Sequence, residues 1–487
     1  MTAAAPLRRL VAGVLALALL TAGCSSEEEK PEPSPETSAP AAPTTLTFAV
    51  YGPPPVISAY SKIAADFTAE NPDTVVNVQP YDTHAEAMRA LEDGRARGEA
   101  PDLFLMDRDD MAGLHEDGAL RRVDDLLAER QVDFGDGYTR SGLAAFSADS
   151  ALQCMPADIS PLVVYYNPRL IDLSQVAEPG ANPVDQENGW GLDEFARAAA
   201  QARGPGTRGL YVAPELEHVA PFVWSGGGEI VDDGDEPTRL TLSEGSSASA
   251  MERLLELVRD PALTFNQNAL RKRSALERFK AGQLGMMLGY RSLTPRLREQ
   301  ENLVFDVMPL PRLGSGATVA SMSGLCISES ADADKTADLL SHVISDESAE
   351  TLAASGYVMP ANLDVLNSEA FLQPGQLPEH ATVFAEEVRD IRPMPTSSHW
   401  PEVRARASRM LVDLFYEPVI LPLEERLAAI DTASEPVFDP TVTPDDETAS
   451  PSPGATESAP SPAPSPAPTP RTKPRSTASA TASAPAP

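Results

Sequence analysis

Cysteine, histidine, tryptophan and positive charge are all scarce in this chain. Three cysteines in 487 residues do not make a disulfide framework. The six histidines, at positions 84, 115, 218, 342, 380 and 399, never fall at the spacing of zinc ligands. Lysine and arginine total 38 against 72 acids, a formal net charge of −34. That balance argues against nucleic acid as a partner and against a polybasic membrane patch. No apolar run after the N-terminus is long enough to span a bilayer. Catalytic signatures are missing too. There is no G-x-S-x-G elbow and no S-x-x-K motif. Asp107-Arg108-Asp109-Asp110 lacks the glycine and glutamate of an EF-hand loop. Acid pairs such as Asp232-Asp233 sit in turns, where acids are common for backbone reasons. With 72 acids in the chain, a glycosidase pair remains compatible with the sequence. No cofactor or metal site is expected.

Both ends carry their own signals. Arg8-Arg9 precede an apolar stretch, Leu10 to Leu20, which closes at Thr21-Ala22-Gly23-Cys24. A charged start, a brief apolar core and small residues mark a signal peptide over residues 1–23. Its end resembles the lipobox of bacterial lipoproteins, which implies lipidation of Cys24. An ordinary cleaved signal is the alternative. Residues 24–43 are acidic and proline-rich and read as an extended tether. Residues 436–487, built from Pro, Ala, Ser and Thr, read as a disordered tail.

Between these ends strand and helix patterns alternate. Leu46 to Val50, Val75 to Val78 and Asp102 to Met106 read as strands. They are separated by helical stripes at Val56 to Phe67 and Ala85 to Arg97. A βαβαβ run predicts a parallel sheet with helices on both faces. Ligands of such sheets sit beyond the carboxyl ends of the strands, where Tyr51 and Asp107 fall. Further on, Leu162-Val163-Val164-Tyr165-Tyr166 is a short β-branched and aromatic run that reads as a strand buried on both faces. The preceding residues hold two prolines, an acid and a serine. Such a segment suits a passage from one sheet to another, with Asp158 and Ser160 facing a gap.

Tyr165-Tyr166-Asn167-Pro168-Arg169-Leu170 resembles the first hinge strand of extracellular solute-binding proteins of ABC importers, the maltose-binding-protein-like group. Six more segments match that family in order. They are PDLFLMD from Pro101, GWGLDEFARAAAQ from Gly189, PFVWSGGGEIVDDG from Pro221 and ALERFKAGQLGMMLGYRSL from Ala275. Ser323-Gly324-Leu325 with Ser348-Ala349-Glu350, and SSHWPEVRARA from Ser397, complete the set. The resemblance covers about residues 46–433. It implies an α/β, two-lobed periplasmic-binding-protein-like fold with hinge strands. The expected first lobe is 44–157 with 328–372, and the second is 158–325 with 373–435.

The function so implied is capture of a small solute, a carbohydrate foremost, and delivery to an ABC permease. No enzyme activity is expected, and the protein would be a monomer, lipid-anchored on the outer face of the cell membrane. A secreted hydrolase on a similar scaffold is an alternative, as is a sensor or scaffold lipoprotein. Candidate ligand residues are Tyr51, Asp107, Asp158, Ser160, Trp224, Tyr290, Arg291, Ser323 and Trp400. A sugar ring needs a flat apolar platform with planar polar groups around it. Tyr51, Trp224, Tyr290 and Trp400 are the platforms, and Asp107, Asp158 and Arg291 the hydroxyl binders. For each aromatic the alternative is ordinary core packing, for Arg291 pairing with an acid, and for Ser323 a turn before Gly324. The family's tryptophan after the fifth motif is replaced here by Tyr290-Arg291, and Met106 stands where maltose-type members place an aromatic. In the family the crossing strands run side by side. That neighbourhood, in an exported chain whose Cys24 is lipidated, implies a disulfide between Cys154 and Cys326; two buried, reduced cysteines acting as small apolar residues are the alternative.

Overall fold

The computed structural model describes residues 42–439, apart from positions 133, 134, 136, 235, 419 and 420. The signal segment, Cys24, most of the tether and the tail beyond residue 439 lie outside the described residues.

Twelve strands build the described part. They are β1 (Thr44–Tyr51), β2 (Thr74–Tyr81), β3 (Leu103–Asp107), β4 (Leu120–Arg121), β5 (Ser147–Ala148), β6 (Ala151–Leu152), β7 (Cys154–Pro161), β8 (Val163–Tyr166), β9 (Arg208–Tyr211), β10 (Leu284–Gly289), β11 (Asp306–Met308) and β12 (Ala320–Ser328). The first sheet runs β2-β1-β3-β12-β4, with β7 also bonded to β12. The second runs β11-β8-β10-β9, and β5-β6 is a separate hairpin. β1 is parallel to β2 and β3, as the alternating pattern predicts. β12 returns antiparallel to β3, β4 and β7.

Helix α1 (Pro54–Glu70) opens with proline at its first position, where a missing N–H costs nothing. It buries Val56, Tyr60, Ile63 and Phe67 on the first sheet. α2 (His84–Arg97) is capped by the Thr83 side chain, which accepts from the Glu86 N–H, and it stops at Gly98, φ +72°. The second lobe carries α3 (Leu192–Gln201), α4 (Leu216–Ser225) and α5 (Gly245–Val258). α6 (Ala333–Val343) and α7 (Asp346–Ala353) return to pack on α1. The chain continues through α8 (Thr382–Glu387), α9 (Trp400–Tyr416) and α10 (Leu423–Phe438). Helix α10 runs past residue 435, so the expected tail boundary falls inside it.

Three connections join the lobes among the described residues. β7 passes through Leu162 into β8, and the Leu162 N–H donates to Val319 O at 2.8 Å on the returning connection. The Thr318 N–H donates to Asp390 O at 2.9 Å, which lays the third beside it. The change of lobe therefore comes at Leu162 and just before Ala320. The expected boundaries at 157/158 and 325/328 fall within β7 and β12. Val163, Val164 and Tyr165 have no solvent exposure, each contributing about 1.5–3 kcal/mol by burial. Gly324 sits at a register shift between β12 and β7. A Cβ there would come within 2.6 Å of the Phe146 ring, so only glycine lets the strand lie this close.

Cys154 and Cys326 face each other across β7 and β12 and are disulfide-bonded, with Cα atoms 4.4 Å apart. Both strands belong to the first sheet. The bridge therefore lies within one lobe, at the end of the strand pair away from the crossing.

Candidate ligand-binding cleft

The carboxyl ends of β1 and β3 deliver Tyr51 and Asp107 to one rim. The Tyr51 hydroxyl donates to Asp107 Oδ1. His84, at the start of α2, lies edge-on to the Tyr51 ring at 5.3 Å. Its Nε2 is 2.5 Å from Asp110 Oδ2 and its Nδ1 3.8 Å from Asp107 Oδ2. Asp110 above all holds the imidazole above its ordinary pKa. Ser323 on β12 is the partner of Asp107 on β3 and of Asp158 on β7. The three side chains therefore stand in a row on one face of the sheet. Asp158 Oδ1 accepts from the Met359 N–H at 2.8 Å. Burial, and then the nearby Asp107, push its carboxyl up to about 7.

The facing wall comes from the second lobe. α4 supplies Glu217 and His218, the residue after β10 is Tyr290, and α9 supplies Pro401, Arg404, Ala405 and Ser408. Between the walls lies a cavity of about 460 Å³, floored by Ala320, Ser321 and Met322 of β12 and by Pro393 and Met394 of the third connection. Arg404 Nη1 reaches Asp109 Oδ2 of the first lobe at 2.5 Å and Glu217 Oε1 of the second at 2.9 Å. One guanidinium thus ties the lobes across the cleft. Arg108 makes a second tie, donating to Pro395 O at 3.4 Å and to Thr396 Oγ1. Burial raises the Glu217 carboxyl in spite of Arg404. It lowers His218 to about 4, so that imidazole is neutral at pH 7.

Of the candidates from sequence, Asp107 and Tyr290 line the cavity. Tyr51, Ser323 and Asp158 surround Asp107 behind it. Four others lie elsewhere. Trp400 is 1% exposed and packs near Phe438, ring centroids 6.4 Å apart. It heads the stripe Trp400, Val403, Ala407, Leu411 and Leu414, which α9 turns into the second-lobe core. Trp224 is 4% exposed, under the Arg392 guanidinium at 4.8 Å. Arg291 is wholly buried. Its guanidinium donates to Phe371 O at 2.9 Å and lies 4.8 Å above the Phe371 ring. The Arg291 backbone N–H donates to Ser160 Oγ at 2.8 Å, so Ser160 is tied to the hinge. None of the four lines the cavity. Sequence reasoning passed over Asp109, Glu217, His218 and Arg404. The one local signal was the second stripe of α9, Pro401-Arg404-Ala405-Ser408, at helical spacing beside the apolar one.

A two-lobed α/β chain with a cleft between its lobes agrees with what the sequence matches over residues 62–379, the family described as bacterial extracellular solute-binding protein. The chain belongs to that family. Its members bind solutes rather than carry out chemistry on them. Solved structures with the same fold include an ABC substrate-binding protein from Listeria monocytogenes in complex with cycloalternan. That match has 20% identity and TM-score 0.68, covering 82% of this chain and 99% of that one. The maltose-binding periplasmic protein MalE from Listeria monocytogenes, in complex with maltose, is 21% identical, with TM-score 0.66 and coverages of 82% and 99%. The sugar-binding protein MalE from Xanthomonas citri is 15% identical, with TM-score 0.69 and coverages of 81% and 97%. No curated protein matches the sequence. In the present binding protein all three tryptophans are buried, at 3%, 4% and 1% exposure. Tyr290 is the one tyrosine, phenylalanine or tryptophan lining its cavity among the described residues, beside the His218 imidazole.

Proposed function

We propose that this binding protein captures a small solute, a carbohydrate foremost, between its lobes and delivers it to an ABC permease. The observation that carries the reading is the cavity of about 460 Å³ walled by both lobes, within the usual range for small-molecule sites. The structural relatives described with cycloalternan and maltose support a sugar. Capture works by hinge closure. A solute must contact both walls at once, because one with equal affinity for the open and closed arrangements shifts nothing. The test is a thermal-shift screen of sugars joined to small-angle scattering. A true solute at a hundred times its dissociation constant stabilises by about 2.7 kcal/mol and contracts the particle. Sugars that do neither would remove carbohydrate from the reading.

Delivery to a permease is best served by a chain held at the membrane, and Cys24, at the end of the signal segment, supplies the anchor. Each buried methylene of a lipid contributes about 0.8 kcal/mol. Cys24→Ala is expected to move the protein from the membrane fraction to the medium. Retention in membranes at wild-type mobility would rule the anchor out.

A further inference from the structure

We propose that the solute carries a protonated amine, an inference that rests on the cavity being the solute site. Four carboxylates line it, Asp107, Asp109, Glu215 and Glu217, against two guanidinia, Arg108 and Arg404. The two cations are already engaged. Arg404 is shared between Asp109 and Glu217, and the terminal nitrogens of Arg108 go to Pro395 O and Thr396 Oγ1. His218 adds no charge, since its imidazole is buried and neutral, and its Nδ1 has no hydrogen-bond partner. The lining thus holds two more carboxyls than guanidinia. Behind Asp107 stand Asp158 and His84, whose imidazole lies between Asp107 and Asp110. Burial raises the Asp107 and Glu217 carboxyls, which a cation brought beside them would return to the ionised form.

When the lobes close on a solute and water leaves, those carboxylates lose hydration that only a positive charge replaces well. A neutral sugar offers hydroxyl donors but no charge. An anion would add to the repulsion. A bare metal ion does not fit either, because no group of three or more candidate ligands converges among the described residues. The cation must therefore be part of the solute. The Tyr290 ring, which lines the cavity, suits an ammonium group as well as a sugar ring. Glu217 and Asp107, on opposite walls, are the carboxylates placed to receive it.

The test is calorimetry on the full mature chain with the glucosamine disaccharide, its N-acetylated counterpart, maltose and spermidine. The free amine is expected to bind at least tenfold more tightly than the acetylated sugar. Glu217→Gln should weaken the amine ligand at least tenfold more than it weakens neutral sugars. Asp107→Asn is the second variant, should the first fail to fold. Tighter binding of spermidine than of the amino sugar upholds the amine and makes its source a polyamine. Maltose or the acetylated sugar binding as tightly as the amine overturns the inference while the solute-binding reading stands. If no solute of any class shifts melting or scattering, both fall.

Discussion

Replacing both Cys154 and Cys326 by serine is expected to lower the unfolding free energy by about 5 kcal/mol and to leave solute affinity unchanged. The two residues are 172 positions apart, so the bridge removes a very large loop's worth of freedom from the unfolded chain. That loop contains every strand of the second sheet, from Val163 to Met308. The loss should appear as a lower midpoint in guanidinium with intact starting structure. Affinity is spared because β7 and β12 lie in the same sheet, and the bridge spans no moving boundary. An unfolding free energy within about 1 kcal/mol of the oxidised protein's, or a matching fall in affinity, would refute this account. Thiol counting on the denatured, unreduced Cys24→Ala chain gives the direct check. No titratable thiols are expected, and two after reductant.

Asp158→Asn is expected to stabilise the protein at pH 8 and to change nothing near pH 3. The folded chain holds this carboxyl at about 7 because burial, and then Asp107, disfavour its ionised form. The unfolded value is about 3.9. The unfolded chain therefore ionises first, and the contribution of Asp158 falls as pH rises from about 4 to about 7. Above that it is level. A shift of about three units corresponds to at most about 4 kcal/mol. Asparagine keeps the shape, and its Oδ1 still accepts from the Met359 N–H. Denaturant midpoints of the two proteins should converge in acid and separate with rising pH. Parallel pH profiles would show that the wild-type carboxyl already ionises at its ordinary value.

The hinge strand was legible because Val163 to Tyr166 is buried on both faces, and such a strand writes itself as an unbroken apolar run. The β1-α1-β2-α2-β3 unit was legible through its change of period. The first half of β12 was not. Ala320-Ser321-Met322-Ser323-Gly324 is small and mixed, and what makes it a strand is the pairing with β3 and β7, which lie far away in sequence. The same difficulty hid the cleft. Arg404 meets Asp109 across 295 positions and Glu217 across 187, so no local pattern marks them. Trp400 is the opposite case. A motif match suggested a stacking platform, while the spacing Trp400-Val403-Ala407-Leu411-Leu414 already assigned that face of α9 to the interior.

The Arg404 bridge also bears on speed. Where the walls part to admit solute, the ion pair that joins them parts as well, so the arrival rate of solute includes the frequency of that opening. Added salt weakens a part-exposed pair and should open the entrance more often. Salt also screens the long-range pull that an acidic cleft exerts on a cation. The two effects act in opposite directions on the association rate, which should therefore vary with ionic strength far less than the −34 charge of the chain would suggest.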